Sequence, residues 1–564
     1  MKDHRIIGTK YTHDSGVALI ENGRLRFSTE LEKLNNGARY KVLDSINEIE
    51  LALNKENFSL HNELFEHTDY VIDGAKLGNE FDTNLGRIEN FGLDVAGYSF
   101  VDFKTRRFDP HYNSFNMPYL SYSHVLGHII GSYVVSPFAE NKEAAFVLVF
   151  DGGQPPKLFV VDPRGREKVI QYSANLIDMF GVIYGIMGLY FGPFKDSGII
   201  SGRKVHSEKQ RYYGGFDVPG KLMAYIGQSE PSELLVSKIK DIYDRLVIEK
   251  TDWPNDFVFR GRFEHRLMQE IRKLPEAMQS DPSTVLHSVH QFVSNELVNA
   301  VLEKIPAGCN FIFTGGSALN IKWNNDLRAT NHFKEMFVPP FPNDSGSAIG
   351  AAACAMALEY NCWQLDWSAY CGNSFDVNTS TKGAKTKTAK ALGSFLYDNP
   401  ETPVLVLHGR AEIGPRALGH RSIMMNPSNK MNKRLLNNIK GREQYRPVAP
   451  ICIEEDAPFL FSPGNPDPYM LFEHQVKDNA LEKIPAVVHI DGSARLQTIN
   501  QEQCKTTYDI LLGFKENSGF GCLCNTSANF NGTGFLNDLT SAKRFAKEHG
   551  IKFIWTKNLL IEVK

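Results

Sequence analysis

Short apolar runs separated by polar turns set the pattern of the chain. Ile6 and Ile7 are followed, across the polar stretch Tyr11 to Gly16, by Val17-Ala18-Leu19-Ile20 and the turn Glu21-Asn22-Gly23-Arg24. That spacing predicts strand, polar loop, strand, tight hairpin and strand. Tyr70-Val71-Ile72, Ala144 to Phe150, Phe311-Ile312-Phe313 and Val404-Leu405-Val406-Leu407 are further apolar runs of strand length. Val125 to Tyr133 keeps helical spacing, and the small residues from Ala351 to Leu358 favour helix. Interleaved elements of this kind predict an α/β fold. At 564 residues the chain is too long for one hydrophobic core, so several domains are expected. Residues 371–392 are polar and Thr/Lys-rich, which predicts a linker between a domain at 1–370 and a second at 393–564.

Composition narrows the function classes. A formal net charge of −3 gives the whole chain no electrostatic reason to coat nucleic acid or an anionic membrane. No apolar run approaches a membrane span, and the amino terminus lacks the pattern of a signal peptide. Eight cysteines form no regular framework, so reduced thiols in a cytoplasmic protein are expected.

Polar residues at the ends of the predicted elements carry the candidate chemistry. His124 and His128 stand i, i+4 on one helix face, a spacing that can chelate a divalent metal or simply satisfy a core. Asp151 ends the Ala144 to Phe150 run and precedes Gly152 and Gly153, which suit a close approach to phosphate. Asp344 precedes the small-residue helix. Together these residues make a set suited to Fe, Mn, Zn or Mg. His13 and Asp14 occupy a loop between two strands, either as a phosphate cradle or as an ordinary capped turn. Gly315, Gly316 and Asn320 form a strand-to-helix turn that lets backbone approach a ligand. After Val404–Leu407 comes HGRAEIGPRALGHRSIMMNP, in which Arg416 and Arg421 are candidate anion forks. Lys440, Arg446, Arg495 and Asn525 lie at the ends of later strands and converge if those strands are neighbours. A basic string, Arg203, Lys204, His206, Lys209 and Arg211, suits either a solvated loop or a phosphorylated substrate.

The 408–427 string resembles the signature of the O-carbamoyltransferase family. The resemblance implies an ASKHA-type, Kae1-like domain followed by a mixed α/β YrdC-like domain. It further implies that carbamoyl phosphate and ATP form carbamoyladenylate on Lys440, Arg446, Arg495 and Asn525, and that a hydroxyl of a small molecule or nucleotide then takes the carbamoyl group. His124, His128, Asp151 and Asp344 match the family's metal ligands, with iron expected, and His13 matches a histidine facing the reacting centre, a general base. Asp14, Gly152, Gly153, Gly315, Gly316, Asn320, Arg416 and Arg421 are implied in nucleotide or anion binding, and a homodimer is the family's assembly. Gln154-Pro155-Pro156 departs from the acidic continuation of the family after Asp151, which leaves the acceptor open. Threonylcarbamoyl transfer to tRNA and a non-catalytic ATP-driven ASKHA switch are the alternatives.

Overall fold

The amino-terminal hairpin expected from the alternation opens the first sheet of the structure, a computed structural model that describes residues 4–34, 36–58, 67–78, 80, 83–99, 103–109, 117–195, 218–249 and 262–563. Strands β1 (His4–Lys10), β2 (Gly16–Glu21), β3 (Arg24–Glu30), β4 (His67–Asp73), β5 (Arg106–Phe108) and β6 (Tyr119–Tyr122) run in the order β3-β2-β1-β4-β6-β5. β1, β2 and β3 form an antiparallel meander, and β4 joins β1 in parallel.

A second sheet repeats that plan. Its strands are β7 (Ala145–Val149), β8 (Lys157–Val161), β9 (Val169–Asn175), β10 (Asn310–Thr314) and β11 (Glu335–Phe337), in the order β9-β8-β7-β10-β11. Again three antiparallel strands are followed by a parallel partner, β10 on β7.

Helix α1 (His124–Val134) and helix α3 (Ser347–Leu358) are almost wholly buried, and helix α2 (Ile321–Ala329) follows β10. α1 and α3 meet through glycine: a Cβ on Gly131 would lie 2.8 Å from Gly350 Cα, and one on Gly350 would lie 2.5 Å from Gly127 O. Only residues without side chains allow this approach. The close crossing brings the amino-terminal turn of α1 beside the turn that starts α3, where His124, His128 and Asp344 sit.

The third sheet belongs to the carboxy-terminal part. It contains β12 (Lys385–Thr386), β13 (Val404–Leu407), β14 (Arg421–Met425), β15 (Ala449–Ile453), β16 (Gln497–Ile499), β17 (Cys522–Ser527), β18 (Phe553–Thr556) and β19 (Leu559–Glu562). The order is β12-β19-β18-β13-β14-β17-β15-β16. Within the polar stretch 371–392, Asn373 and Phe375 are buried and Lys385–Thr386 pairs with β19.

The two parts are fastened by side chains reaching backbone. Lys33 Nζ donates to Gly414 O (2.7 Å) and Glu412 O (3.2 Å), Asn324 Nδ2 donates to Leu471 O (2.7 Å), and Asn537 Nδ2 donates to Lys33 O (2.8 Å).

Candidate active site

Two polar centres stand out. The first gathers His124, His128, Asp151 and Asp344, all buried, with one donor atom from each within 4.8 Å of the others. The register of the elements explains the meeting. Ser123 caps α1 by accepting from Leu126 N–H, which sets the helix start one residue before His124. Asp151 lies two residues past β7, and its Oδ1 accepts from Gly316 N–H (2.9 Å). Gly315 has φ +90°, and a Cβ there would lie 2.6 Å from Phe150 O, so this turn needs glycine to pass the end of β7.

The outer partners are as ordered as the donors. Asp73, at the end of β4, accepts from His124 Nδ1 at 2.8 Å, which leaves His124 Nε2 turned toward Asp344 Oδ1 (3.4 Å). A carboxylate behind an imidazole is the usual arrangement of a metal-ligating histidine. Lys10 Nζ lies 2.9 Å from Asp344 Oδ2 and 3.3 Å from Asp73 Oδ2, and Tyr98 donates to Asp151. His13 Nε2 is 3.4 Å from Asp344 Oδ2 and its Nδ1 is 3.3 Å from Asp14 Oδ2. Burial would raise Asp344, but Lys10, His124 and His13 hold it well below the usual carboxylate range. Burial would lower the His124 imidazole, yet Asp73, with Asp344, raises it to about 10. The centre is therefore a balanced network of acids and cations.

The second centre is the opposite. The loop after β13 folds around one buried carboxylate: Glu412 Oε1 accepts from the N–H groups of Leu418 (2.6 Å), His420 (2.8 Å) and Arg421 (3.1 Å). Arg416 projects from this loop into a cluster of cations. Burial, with Arg495, Arg39 and Arg446 nearby, pushes the Arg416 guanidinium well below its ordinary range. Burial with Arg442, Arg39 and Arg446 does the same to Lys440, and burial with Arg446 lowers Arg495 to about 10. The sheet register makes this convergence, since Ala449 faces Asn525 and Ile451 faces Gln497. Asn525 Nδ2 donates to Ala417 O (3.0 Å) and Gln497 Oε1 (3.1 Å). The buried Nε atoms of Arg416 and Arg495, and Asn525 Oδ1, have no hydrogen-bond partner.

Lys440, Arg446, Arg495, Asn525 and Arg416 are thus brought together, as are His13, Asp14, His124, His128, Asp151 and Asp344. Arg421 is not part of the cation cluster, and its grouping with the ligand-binding arginines is corrected. Its five N–H groups point to Asn537 Oδ1 and to the backbone oxygens of His408, His420, Asn373 and Gly409, so none is left for a ligand. Gly315 and Gly316 seat Asp151, and Asn320 caps α2 by accepting from Lys322 and Trp323 N–H. Gly152 lies against Val182, and Gly153 and Gln154 are buried, with both polar atoms of the Gln154 amide unpartnered. The basic string 203–211 lies outside the described residues.

Sequence reasoning missed Arg39, Lys10, Tyr98 and Asp73. Arg442 is pushed down to about 9 by burial and by Arg446 and Arg495. Arg39 enters from the opposite part of the chain, and no local pattern marks it.

Residues 5–354 match the family model of the carbamoyltransferase N-terminus, and residues 399–563 match that of the carbamoyltransferase C-terminus. The chain belongs to the carbamoyltransferase family. Nodulation protein U of Bradyrhizobium diazoefficiens is 36% identical, over 99% of this carbamoyltransferase and 97% of the relative. A 3'-hydroxymethylcephem-O-carbamoyltransferase of Amycolatopsis lactamdurans is 29% identical over 97% of both chains. A solved ROK family protein from Streptococcus pneumoniae TIGR4, in complex with sucrose, aligns at a TM-score of 0.27 and 11% identity, covering 63% of this chain and 99% of that one. At that score it carries no argument.

The chain is an enzyme of the O-carbamoyltransferase type. The relatives support carbamoyl-phosphate-dependent O-carbamoyl transfer, and this overturns the ATP-derived carbamoyladenylate route expected from the sequence. ATP and iron are withdrawn as cofactors, and the Kae1-like and YrdC-like labels go with them. Threonylcarbamoyl transfer to tRNA and the non-catalytic switch fall to the same finding. Among the described residues, no helix is long and apolar enough to cross a membrane.

Proposed function

We propose that this carbamoyltransferase moves the carbamoyl group of carbamoyl phosphate directly onto a hydroxyl of a small molecule or nucleotide. The cation cluster carries the reading, because buried guanidinium groups with unpartnered Nε atoms, crowded by other cations, suit a compact polyanion. Arg416, Arg446 and Arg495 would hold the phosphate and Asn525 the carbamoyl amide, while Lys440, whose three N–H groups go to Ser527 O, Asn529 O and Asn529 Oδ1, would add its charge from behind. His13 would take the proton of the acceptor hydroxyl. The hydroxyl oxygen then attacks the carbamoyl carbon, the bond from that carbon to the phosphate oxygen breaks, and phosphate leaves with its charge on the arginines.

The two centres are linked by short contacts. Ser15 N–H donates to Lys41 O (2.9 Å) and Tyr40 N–H to Glu32 Oε2 (2.9 Å), so the segment that carries Arg39 lies over the His13-Asp14 loop. The donors of His124, His128, Asp151 and Asp344 fit a divalent cation, since they are mixed nitrogen and oxygen ligands backed by Asp73 and Tyr98. A bound ion would supply Lewis acidity there.

The finer fold reading, two ASKHA-type subdomains, belongs to this proposal and rests on the repeated order β3-β2-β1-β4 and β9-β8-β7-β10. A cytoplasmic homodimer belongs to it too, and the eight free thiols suit a reducing compartment.

The test supplies carbamoyl phosphate and a panel of hydroxylated sugars and nucleotides, with no ATP present. Acceptor-dependent phosphate release that matches carbamate formed, read by mass spectrometry, is expected. Absence of carbamate from every acceptor until ATP is added would overturn the direct route. His13→Gln should slow transfer by about 100-fold or more while leaving phosphate binding intact. An unchanged rate would remove His13 as the base.

A further inference from the structure

The base of the arginine-bearing loop holds a group of donors that the transfer chemistry does not use. His408 follows β13, His420 precedes β14, and Cys504 caps the helix Lys505–Ser518. One donor atom from each lies within 4.8 Å of the others. His420 Nε2 is 3.0 Å from Cys504 Sγ, and its Nδ1 pairs with Arg410 O at 2.6 Å. With Nδ1–H donating to that carbonyl, the lone pair of Nε2 points at the sulfur. The His408 ring lies 4.0 Å from the His420 ring, and Tyr370 stacks on the other side of His420 at 3.8 Å. His408 Nε2 is 3.4 Å from the Thr507 hydroxyl.

A nucleophilic Cys-His pair is the first alternative. It fails on environment, because burial raises the Cys504 thiol and lowers His420 to about 3, so the pair stays thiol and neutral imidazole. Two buried imidazoles and a largely buried thiol are instead a borderline-to-soft ligand set, unlike the imidazole and carboxylate centre in the amino-terminal part. The carbonyl behind His420 is the outer-sphere partner that such a ligand needs.

We propose that His408, His420 and Cys504 form a second metal site, for an ion of the Zn2+ class, with the Thr507 hydroxyl or a water completing the coordination. Binding releases the thiol proton to solvent and forms bonds from Sγ and the two imidazole nitrogens to the ion; no electron transfer is involved. Such an ion would clamp the two ends of the 409–419 loop and so fix the Glu412-organised turn from which Arg416 projects.

The full chain, stripped by a chelator and given one to two equivalents of Co2+, should show a thiolate-to-cobalt charge-transfer band in the near ultraviolet. The centre at His124 has no sulfur and cannot produce it. The band should disappear in Cys504→Ser and in His420→Gln and persist in His128→Gln. In the unmutated protein, slightly more than two equivalents of Zn2+, enough to fill the centre at His124 as well, should also slow alkylation of Cys504, mapped by mass spectrometry, by about tenfold or more. That measurement does not depend on any variant folding. No charge-transfer band, a band that survives Cys504→Ser, or an alkylation rate indifferent to Zn2+ would each overturn the site.

Discussion

The acid and imidazole centre and the cation cluster are both buried, but they are built on opposite rules. Around Asp344 most neighbours are of the opposite kind: the Lys10 ammonium and the imidazoles of His13, His124 and His128 surround it, with the carboxylates of Asp73 and Asp151 as the like-charged groups nearby. Around Arg416 the charged neighbours are Arg495, Arg39 and Arg446. The first centre pairs most of its charges internally, and its removal should damage the fold. The second is held by the fold against its own repulsion, and under the proposed function a bound phosphate supplies its counter-charge.

The largest effect should come from breaking the balanced centre. Asp344→Ala leaves the buried Lys10 and His124 to share the one carboxylate of Asp73 and should cost about 4 kcal/mol of stability, read by urea unfolding. Arg416→Ala should do the reverse. It should lower the transfer rate by about 100-fold or more while leaving the ligand-free protein as stable as, or more stable than, the unmutated chain. Saturating phosphate should stabilise the unmutated protein by about 2.7 kcal/mol at a hundred times its dissociation constant, and the variant by less. Equal losses of stability in both variants would erase the contrast.

Glu264 sharpens the comparison at the smallest scale. It is fully buried with one oxygen unpartnered, and burial, opposed only weakly by the N–H of Phe180, lifts it to about 7. Its stabilising protonated form is fully populated below its ordinary pKa near 4.5 and is lost as pH rises through about 7. Glu264→Gln should therefore add about 2 kcal/mol at pH 8 and little at pH 4.5, by unfolding at each pH. A gain independent of pH would show that Glu264 is not the group responsible.

Much of this arrangement was legible in the chain because it depends on local spacing. The i, i+4 histidines lie on one face of α1, Asp151 ends a strand run, and Asp344 precedes a small-residue helix. The strand-end placement expected for the late cations holds only for Arg495: Lys440 caps the helix Met431–Ile439 and Arg446 lies in the loop before β15, and pairing of β15 with β17 and β16 brings them together. Long-range partners were not legible. Asp73 supports His124 from 51 residues away, and Arg39 reaches Arg416 and Lys440 from the other part of the chain. Arg416 and Arg421 have the same chemistry in the same motif, and only their surroundings separate them. Backbone oxygens close on Arg421, while Arg416 meets other cations. The glycines at 315 and 316 signalled a close approach correctly, but what approaches is the carboxylate of Asp151.

Arg39 has one more consequence. Its N–H donates to Gly532 O at 2.9 Å, which ties an amino-terminal segment across the mouth of a carboxy-terminal pocket. A carboxy-terminal fragment cut free within 371–392 would keep its own arginines but lose this visitor from the other half. The cation cluster is shared property of both halves, so under the proposed function neither half alone would assemble the whole anion site.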